Sequence, residues 1–243
     1  MRTIAFIQAR MSSTRLPGKV LADLSGQPML ARVVARTERA RLLDGVVVVT
    51  TASPADDIIA EACVQHHWQF FRGNENDVLD RYYHAARHCE AEIVVRVTGD
   101  CPLIDPEIID RVVVVFQETM PDYASNTLRR TYPRGLDVEA MKLTSLARAW
   151  REASEPWHRA HVTPYIHQNP KLFSLVSVTD EADHSGYRWT VDTQQDLEFV
   201  RAIYTHLRGD DTFSWRDVLR LLDEEPKLAN MNRGVLQKTP QEC

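Results

Sequence analysis

Short runs of apolar and β-branched residues alternate with amphipathic stretches along the first half of the chain. The apolar runs predict strands, and the stretches with apolar residues three and four positions apart predict helices. This alternation is typical of a mainly parallel α/β sheet with helices on both faces. We expect strands at Thr3–Gln8, Gly45–Thr50, Gln69–Phe71 and Ile93–Thr98, and helices at Pro28–Arg41, Ala55–His66, Asp77–His88 and Pro106–Thr119.

The alternation loosens after about residue 120. Residues 123–142 predict two extended pieces around a Tyr-Pro-Arg-Gly turn. A helix is predicted over Pro156–Gln168, and Pro164 inside it should bend or break that helix. The tail from Glu224 has no clear period and is either an ordered wrap or a frayed end. We expect one domain, 1–243, with a core of about 1–120 and 170–225 and an excursion of about 121–169. The other predicted elements are a helix at Leu143–Glu152, extended segments at Leu172–Thr179 and Tyr187–Val191, and helices at Thr193–His206 and Ser214–Leu222.

A loop rich in cations follows the first predicted strand. Arg10, Arg15 and Lys19 fall within ten positions, and residues 12–14 between them carry hydroxyls that can donate hydrogen bonds to phosphate oxygens. The loop is not a Walker A sequence, because Val20 follows the lysine, and no G-x-G-x-x-G occurs. Its place between a strand and a helix puts it at the carboxyl edge of the sheet, where open α/β folds bind ligands. The sequence therefore predicts a nucleotide-phosphate site.

Two aspartates end predicted strands that are far apart in the sequence. Asp100 follows the strand Ile93–Thr98, and Asp192 follows the extended segment Tyr187–Val191. Carboxylates at such strand ends are suited to holding Mg²⁺ against nucleotide phosphates. Each aspartate alone is also explained by a turn or by the start of a capped helix.

Three segments carry a resemblance to a known family. The stretch of residues 8–21, Gln-Ala-Arg-Met-Ser-Ser-Thr-Arg-Leu-Pro-Gly-Lys-Val-Leu, resembles the opening signature of the CMP-sugar synthetases, which are cytidylyltransferases that activate sialic, pseudaminic and 3-deoxy-manno-octulosonic acids. It is most similar to the spore-coat polysaccharide biosynthesis branch. Residues 99–104 and 188–197 resemble that family's metal-binding segments. The resemblance extends from residue 1 to about 206.

The resemblance implies a nucleotide-diphospho-sugar transferase (GT-A-like) fold with a Rossmann-like nucleotide-binding sheet and a small extended arm or subdomain. It also implies Mg²⁺-dependent transfer of CMP from CTP to the hydroxyl of a small anionic acceptor, a sugar acid or a phosphonate, with release of pyrophosphate. In the family, two aspartates hold the metal, which here correspond to Asp100 and Asp192. The catalytic residues that it implies are Arg10, Arg15, Lys19, Asp100 and Asp192.

Further binding residues are implied by the same resemblance. Residues 157–165 resemble a motif of the spore-coat branch, but Ala160 stands where that motif usually has an acidic residue. Residues 132–139 resemble the acceptor-side motif of the same branch. They are equally well interpreted as a hairpin turn with solvated charges. The implied nucleotide-binding residues are Gln8, Ala9, Arg10, Ser12, Ser13, Lys19, Asn76, Asp77, Arg81, Thr98 and Gly99. The implied acceptor-binding residues are Arg134, Asp137, Glu139, His161 and Arg188.

Composition narrows the classes of partner. A formal net charge of -5 argues against a nucleic-acid binder, which normally carries a broad basic face. No apolar run is long enough to span a membrane. The four cysteines form no C-x-x-C pair, so free thiols and a cytoplasmic location are expected. Two alternative functions stay open: a glycosyltransferase that uses a nucleotide sugar, and a catalytically silent nucleotide-binding protein.

The excursion also bears on assembly. CMP-sugar synthetases extend a dimerisation arm at the corresponding point, and an extended segment that cannot bury its apolar side chains needs a partner. We therefore expect a homodimer. The alternative is a monomer whose excursion folds over its own sheet. The apolar residues concerned are Tyr132, Leu136, Val138 and Met141.

Overall fold

The structure is a computed structural model, and it describes residues 1–237. The strands are β1 (Thr3–Gln8), β2 (Asp23–Leu24), β3 (Gln27–Pro28), β4 (Gly45–Thr51), β5 (Gln69–Gly73), β6 (Ile93–Thr98), β7 (Tyr123–Ser125), β8 (Glu139–Lys142) and β9 (Leu175–Ser177). The α-helices are α1 (Met29–Glu38), α2 (Asp57–Gln65), α3 (Val78–His88), α4 (Pro106–Thr119), α5 (Leu143–Glu152), α6 (Pro156–His161), α7 (Pro164–His167), α8 (Gln194–His206), α9 (Trp215–Glu224) and α10 (Pro226–Ala229).

Seven of the strands in residues 1–237 form one sheet, in the order β5-β4-β1-β6-β8-β7-β9. The pairs β5–β4, β4–β1, β1–β6 and β7–β9 are parallel, whereas β8 runs antiparallel to both of its neighbours. The predicted α/β class with a mainly parallel sheet is confirmed. Because β1 and β6 are adjacent and parallel, the loops that follow them leave the sheet at the same edge.

Both faces of the sheet are covered, which explains why the central strands are largely apolar rather than alternating. In β1, Ala5 and Ile7 pack into one core with α1, α4, α8 and α9, and Ile4 and Phe6 pack into a second core with α3, α5 and α7. Burial of each large apolar side chain contributes roughly 1.5–3 kcal/mol. This two-sided core holds the strand ends rigidly in place.

Several predicted boundaries are changed by local chemistry. The strands at Thr3–Gln8 and Ile93–Thr98 and the helix at Pro106–Thr119 form as predicted, whereas α1 ends at Glu38. The helix predicted over 156–168 is broken into α6 and α7 just before Pro164, as its missing N–H requires. The extended segment predicted at 187–191 forms only an isolated bridge, between Arg134 and Arg188.

The apolar side chains of the excursion do not need a partner to be buried, and this part of the prediction is wrong. Two of its segments become strands β7 and β8 inside the main sheet. The four apolar side chains that were expected to need a partner are fully buried within this chain, so they give no reason for a dimer. Those four are Tyr132, Leu136, Val138 and Met141.

The tail up to Gln237 is an ordered wrap. After α10, the Asn232 side chain donates a hydrogen bond to the carbonyl oxygen of Arg188. Cys63, Cys89 and Cys101 are free thiols, whereas Cys243 lies outside the described residues. Across positions 1–237, none of the helices has the length and apolar character that crossing a bilayer demands.

Candidate active site

The loop after β1 lies beside the end of β6. Gln8 and Thr98 are register partners, and the Gly99 amide donates to the Gln8 carbonyl oxygen at 2.8 Å. A Cβ atom on Gly99 would lie 2.9 Å from that oxygen, which is closer than side chains tolerate. Glycine therefore permits the two strand ends to approach, and this approach brings Asp100 next to the cationic loop.

The cationic loop is closed by its own backbone. The Met11 carbonyl oxygen accepts hydrogen bonds from the amides of Ser13 and Gly18, both at 2.9 Å, and the Met11 amide donates to Asp56 Oδ1 at 2.7 Å. Gly18 has a φ of 74°, in the left-handed region that favours glycine. This turn directs Lys19 back toward the strand end.

Lys19 joins the two aspartates that the sequence singled out. Its Nζ lies 2.7 Å from Asp100 Oδ2 and 2.8 Å from Asp192 Oδ1, and it also donates to the Val191 carbonyl oxygen at 2.7 Å. The Val191 amide donates to the Asp100 carbonyl oxygen at 2.8 Å, which docks the Asp192 segment onto the end of β6. Two carboxylates that are far apart in the sequence therefore face one cation.

Further arginines surround Asp192. Arg15 and Arg188 approach its Oδ2 through their NH2 atoms, at 2.9 and 2.7 Å. Burial disfavours the charged forms of both Asp192 and Lys19, but the attraction between opposite charges outweighs this effect. The Asp192 pKa is lowered because Lys19, Arg15 and Arg188 favour the carboxylate, and the Lys19 pKa is raised because Asp100 and Asp192 favour the ammonium. Arg10 is exposed at the mouth of the site.

This centre opens into a cavity of about 350 Å³. Four of its lining residues are the cations Arg10, Arg15, Lys19 and Arg96, against two carboxylates, so the wall is cationic and suited to anions. The remaining lining residues are Gln8, Ser13, Thr14, Val20, Thr98, Asp100, His161 and Asp192.

The carboxylates of Asp100 and Asp192 are donors of the type that Mg²⁺ takes. Their oxygens already converge on one cation, the Lys19 ammonium. No cluster of three or more His, Cys, Asp or Glu side chains occurs in the part of the chain that the structure describes. Mg²⁺ commonly uses one or two carboxylates and completes its shell with water and substrate phosphates, so this pair is a sufficient protein contribution.

Comparison with known proteins gives the family. The model of the cytidylyltransferase family matches residues 4–232. This chain belongs to the cytidylyltransferase family. It is a CTP-dependent nucleotidyltransferase.

Individual relatives match this chain over about half of its length or over nearly all of it. The chain is 32% identical to the spore coat polysaccharide biosynthesis protein SpsF of Bacillus subtilis, covering 94% of this chain and 98% of SpsF. It is 40% identical to the 3-deoxy-manno-octulosonate cytidylyltransferase of Geobacter sulfurreducens, covering 53% of this chain and 50% of that enzyme. A solved cytidylyltransferase from Leptospira borgpetersenii superposes with a TM-score of 0.91 at 31% identity, covering 98% of this chain and 100% of that one.

The other predicted nucleotide-binding residues of this cytidylyltransferase lie in two places. Gln8, Ser13 and Thr98 line the cavity with the cations. Asn76, Asp77 and Arg81 do not contribute to its wall. Asp77 caps α3 by accepting from the Asp80 amide and pairs with Arg159 at 2.6 Å. Buried Arg81 donates to the carbonyl oxygen of Asn74 at 2.7 Å. The remaining positions, Ala9, Ser12 and Gly99, are not on the cavity wall either.

The predicted acceptor residues are divided between different surroundings. His161 lines the cavity that contains the two aspartates. Arg134 and Arg188 line a different and larger cavity of about 710 Å³, none of whose described lining residues is shared with the first. Asp137 is paired with Arg130, whose NH2 lies 2.8 Å from Asp137 Oδ2. The five residues therefore do not form one pocket.

The contacts of Glu139, a predicted acceptor residue, lie inside the protein. Both of its oxygens are used inside the protein: Oε2 pairs with Arg96, and Oε1 accepts from Tyr123 at 2.6 Å and Thr163 at 2.7 Å. Burial would raise the pKa of Glu139, but the Arg96 guanidinium and these hydroxyls lower it below its usual value. The carboxylate is therefore a buried support for Arg96.

Arg96 itself was missed by the sequence analysis. Its side chain leaves β6 toward the cavity and is held by Glu139, with a long contact of 3.4 Å to Gln8 Oε1. A signal was present in the sequence, because Arg96 is the one charged residue in the apolar run Ile93–Val97. A charge inside a buried strand needs either a buried partner or a cavity, and Arg96 has both.

Proposed function

We propose that this enzyme transfers CMP from CTP to a hydroxyl of a small anionic acceptor, a sugar acid or a phosphonate, with Mg²⁺ and with release of pyrophosphate. The observation that carries the proposal is the convergence of Lys19, Asp100 and Asp192 at the wall of a cationic cavity. The acceptor class is supported by the resemblance to the Geobacter sulfurreducens 3-deoxy-manno-octulosonate cytidylyltransferase. The similarity to SpsF supports a place in polysaccharide biosynthesis.

The cations have the task of holding the triphosphate. Arg10, Arg15 and Lys19 line the cavity, where guanidinium forks and an ammonium group bind phosphate oxygens well. The acceptor hydroxyl oxygen forms a bond to the α-phosphorus, the bond from that phosphorus to the oxygen bridging to the β-phosphate breaks, and the hydroxyl proton passes to solvent. The same cations stabilise the charge on the departing pyrophosphate.

The carboxylates have the task of holding the metal. Asp100 and Asp192 would bind Mg²⁺, which when bound neutralises phosphate charge and lowers the pKa of a coordinated hydroxyl. Lys19 Nζ uses the same carboxylate oxygens. The proposal therefore requires the Lys19 ammonium to turn from the aspartates toward the phosphates when CTP and Mg²⁺ enter.

A pyrophosphate-release screen tests the proposal. CTP, UTP, ATP and GTP are each incubated with Mg²⁺ and a panel of sugar acids and phosphonates, and we expect release with CTP and one acceptor class. Asp100→Asn should abolish the signal, and the matched control Asp57→Asn should keep it, because Asp57 pairs with Arg72 away from the cavity. CTP binding without pyrophosphate release from any acceptor, or sugar transfer from a nucleotide sugar, would contradict the proposal.

A further inference from the structure

Asp192 is held from behind by a second aspartate at the start of α8. The Asp192 amide donates to Asp196 Oδ2 at 3.0 Å. Arg188 connects the two carboxylates, with Nε 2.9 Å from Asp196 Oδ1 and NH2 2.7 Å from Asp192 Oδ2. Asp196 therefore fixes both the backbone of Asp192 and the arginine that orients its side chain.

Capping of α8 does not by itself explain the whole arrangement. Thr193 and Asp196 form a capping box, but that role uses only Oδ2, which accepts from the Thr193 amide and hydroxyl. The start of α9 has an equivalent capping box, formed by Ser214 and Asp217. There the second carboxylate oxygen pairs with an exposed arginine, Arg220. In Asp196, the second oxygen is directed to Arg188 instead.

Asn232 closes this arrangement from the far end of the chain. Its Nδ2 donates to Asp196 Oδ1 and to the Arg188 carbonyl oxygen, both at 2.9 Å. Asp196 is 0% exposed and Asn232 is 4% exposed. A buried, charge-assisted network in which each oxygen is satisfied holds its members in one geometry. The C-terminal wrap thus reaches the back of the candidate metal centre.

We propose that Asp196 and Asn232 are positioning residues that hold Arg188 and thereby set the orientation of Asp192 toward Mg²⁺. The inference rests on the proposed function, in which Asp192 holds the metal. Groups that orient a metal ligand typically change metal affinity by about 10- to 100-fold when they are removed. Asn232→Ala and Asp196→Asn should therefore weaken Mg²⁺ binding without changing the site for CTP.

Two measurements test this inference. The first is the Mg²⁺ concentration that half-saturates pyrophosphate release at saturating CTP, which we expect to rise about 10-fold in either variant. Excess Mg²⁺ should restore most of kcat, and the KM for CTP at that Mg²⁺ concentration should stay within about twofold of the wild-type value. The second is Mn²⁺ binding in the presence of CTP without acceptor, followed by the EPR signal of free Mn²⁺ with a protein-free titration subtracted.

Matched controls separate positioning from helix capping. Asp217→Asn removes the carboxylate of the other capping box, and Asn230→Ala removes a nearby amide that donates to the Pro226 carbonyl oxygen. Both controls should leave Mg²⁺ half-saturation unchanged. Should Asn232→Ala not fold, Asn232→Asp keeps the volume and tests the same contact, because it places an oxygen against Asp196 Oδ1.

The outcomes distinguish this inference from the proposed function. Wild-type protein that binds Mn²⁺ no better than Asp192→Asn would overturn the metal role itself. Wild-type protein that behaves as expected, with Asn232→Ala and Asp196→Asn within twofold of it in both measurements, would overturn the positioning role alone. A loss of activity that excess Mg²⁺ does not restore would also assign the two residues to folding rather than positioning.

Discussion

Two ion-pair clusters of similar chemistry differ in what surrounds their carboxylates. In the first, Lys19 joins Asp100 and Asp192, whose side chains are 25% and 17% exposed at the wall of a cavity. In the second, Arg96 pairs with Glu139, which is 8% exposed and has both oxygens occupied by protein donors. The carboxylates of the first cluster keep more exposed surface, and they face a cavity, whereas the carboxylate of the second cluster is nearly buried.

The comparison teaches that accessibility, rather than residue type, separates a binding carboxylate from a structural one. A buried ion pair is costly to break, because the remaining partner stays desolvated. A carboxylate that faces a cavity can instead exchange its cation for another one. Four experiments test this distinction, and the first has the largest expected effect.

Removing a carboxylate of the first cluster should affect activity most. Asp100→Asn and Asp192→Asn are each expected to lower kcat/KM about 10³-fold, equivalent to about 4 kcal/mol of transition-state stabilisation, because each removes a carboxylate proposed to hold Mg²⁺. Steady-state pyrophosphate release at saturating Mg²⁺ measures the loss. A variant that retains more than about a tenth of wild-type activity would exclude its residue from the metal role.

Removing the carboxylate of the second cluster should affect folding instead. Glu139→Gln leaves the Arg96 guanidinium buried beside a neutral amide, and we expect a loss of about 3 kcal/mol in the free energy of unfolding. Urea denaturation measures it. The matched control Glu152→Gln, on a surface pair with Arg148, should change stability by under about 1 kcal/mol. Unchanged stability combined with a raised KM for the acceptor would return Glu139 to its predicted acceptor role.

Nucleotide selection sharpens the description of the first cluster. With Mg²⁺ present, CTP at about 100 times its dissociation constant should stabilise the protein by about 2.7 kcal/mol. Thermal unfolding with CTP, UTP, ATP and GTP at one concentration compares the four. The largest shift should come with CTP, and a larger shift with UTP or ATP would contradict CTP preference.

The smallest expected effect is a pH dependence of stability at Asp192. Its pKa is lowered in the folded protein, so its contribution to stability is present above the unfolded value, about 3.9, and is lost as the pH falls through the lower folded value. Asp192→Asn should cost about 1 kcal/mol at pH 7. Denaturation of both proteins from pH 7 to below pH 4 should show this difference shrinking, and a constant difference would show that charge is not its origin.

Much of the site was predictable because its residues come directly after predicted strands. The cationic loop and Asp100 were assigned to the carboxyl edge of a parallel sheet, and β1 and β6 place them there as neighbours. Arg96 was missed although its charge interrupts an apolar strand. The internal contacts of Glu139 were not foreseen, because no local pattern states whether a carboxylate has its oxygens satisfied inside the protein.

The excursion shows a different limit. Extended pieces with apolar residues have the same sequence pattern whether they pair with their own sheet or with another subunit. Tyr132 and Met141 are buried within this chain because β7 and β8 find places between β6 and β9. Strand order is a property of long-range pairing, so the local pattern was not sufficient to predict it.

The sequence by itself determined the α/β class, the cytidylyltransferase family, the cationic loop and the two aspartates at the ends of extended segments. These features depend on local periodicity and on short motifs, which neighbouring residues fully specify. Only the tertiary structure decided that Lys19 lies between Asp100 and Asp192. It also decided that Glu139 is hydrogen-bonded inside the protein and that Asn232 donates a hydrogen bond to Asp196. Contacts between residues far apart in the chain depend on how the two cores pack, because packing sets which polar atoms are buried and which remain open to a ligand.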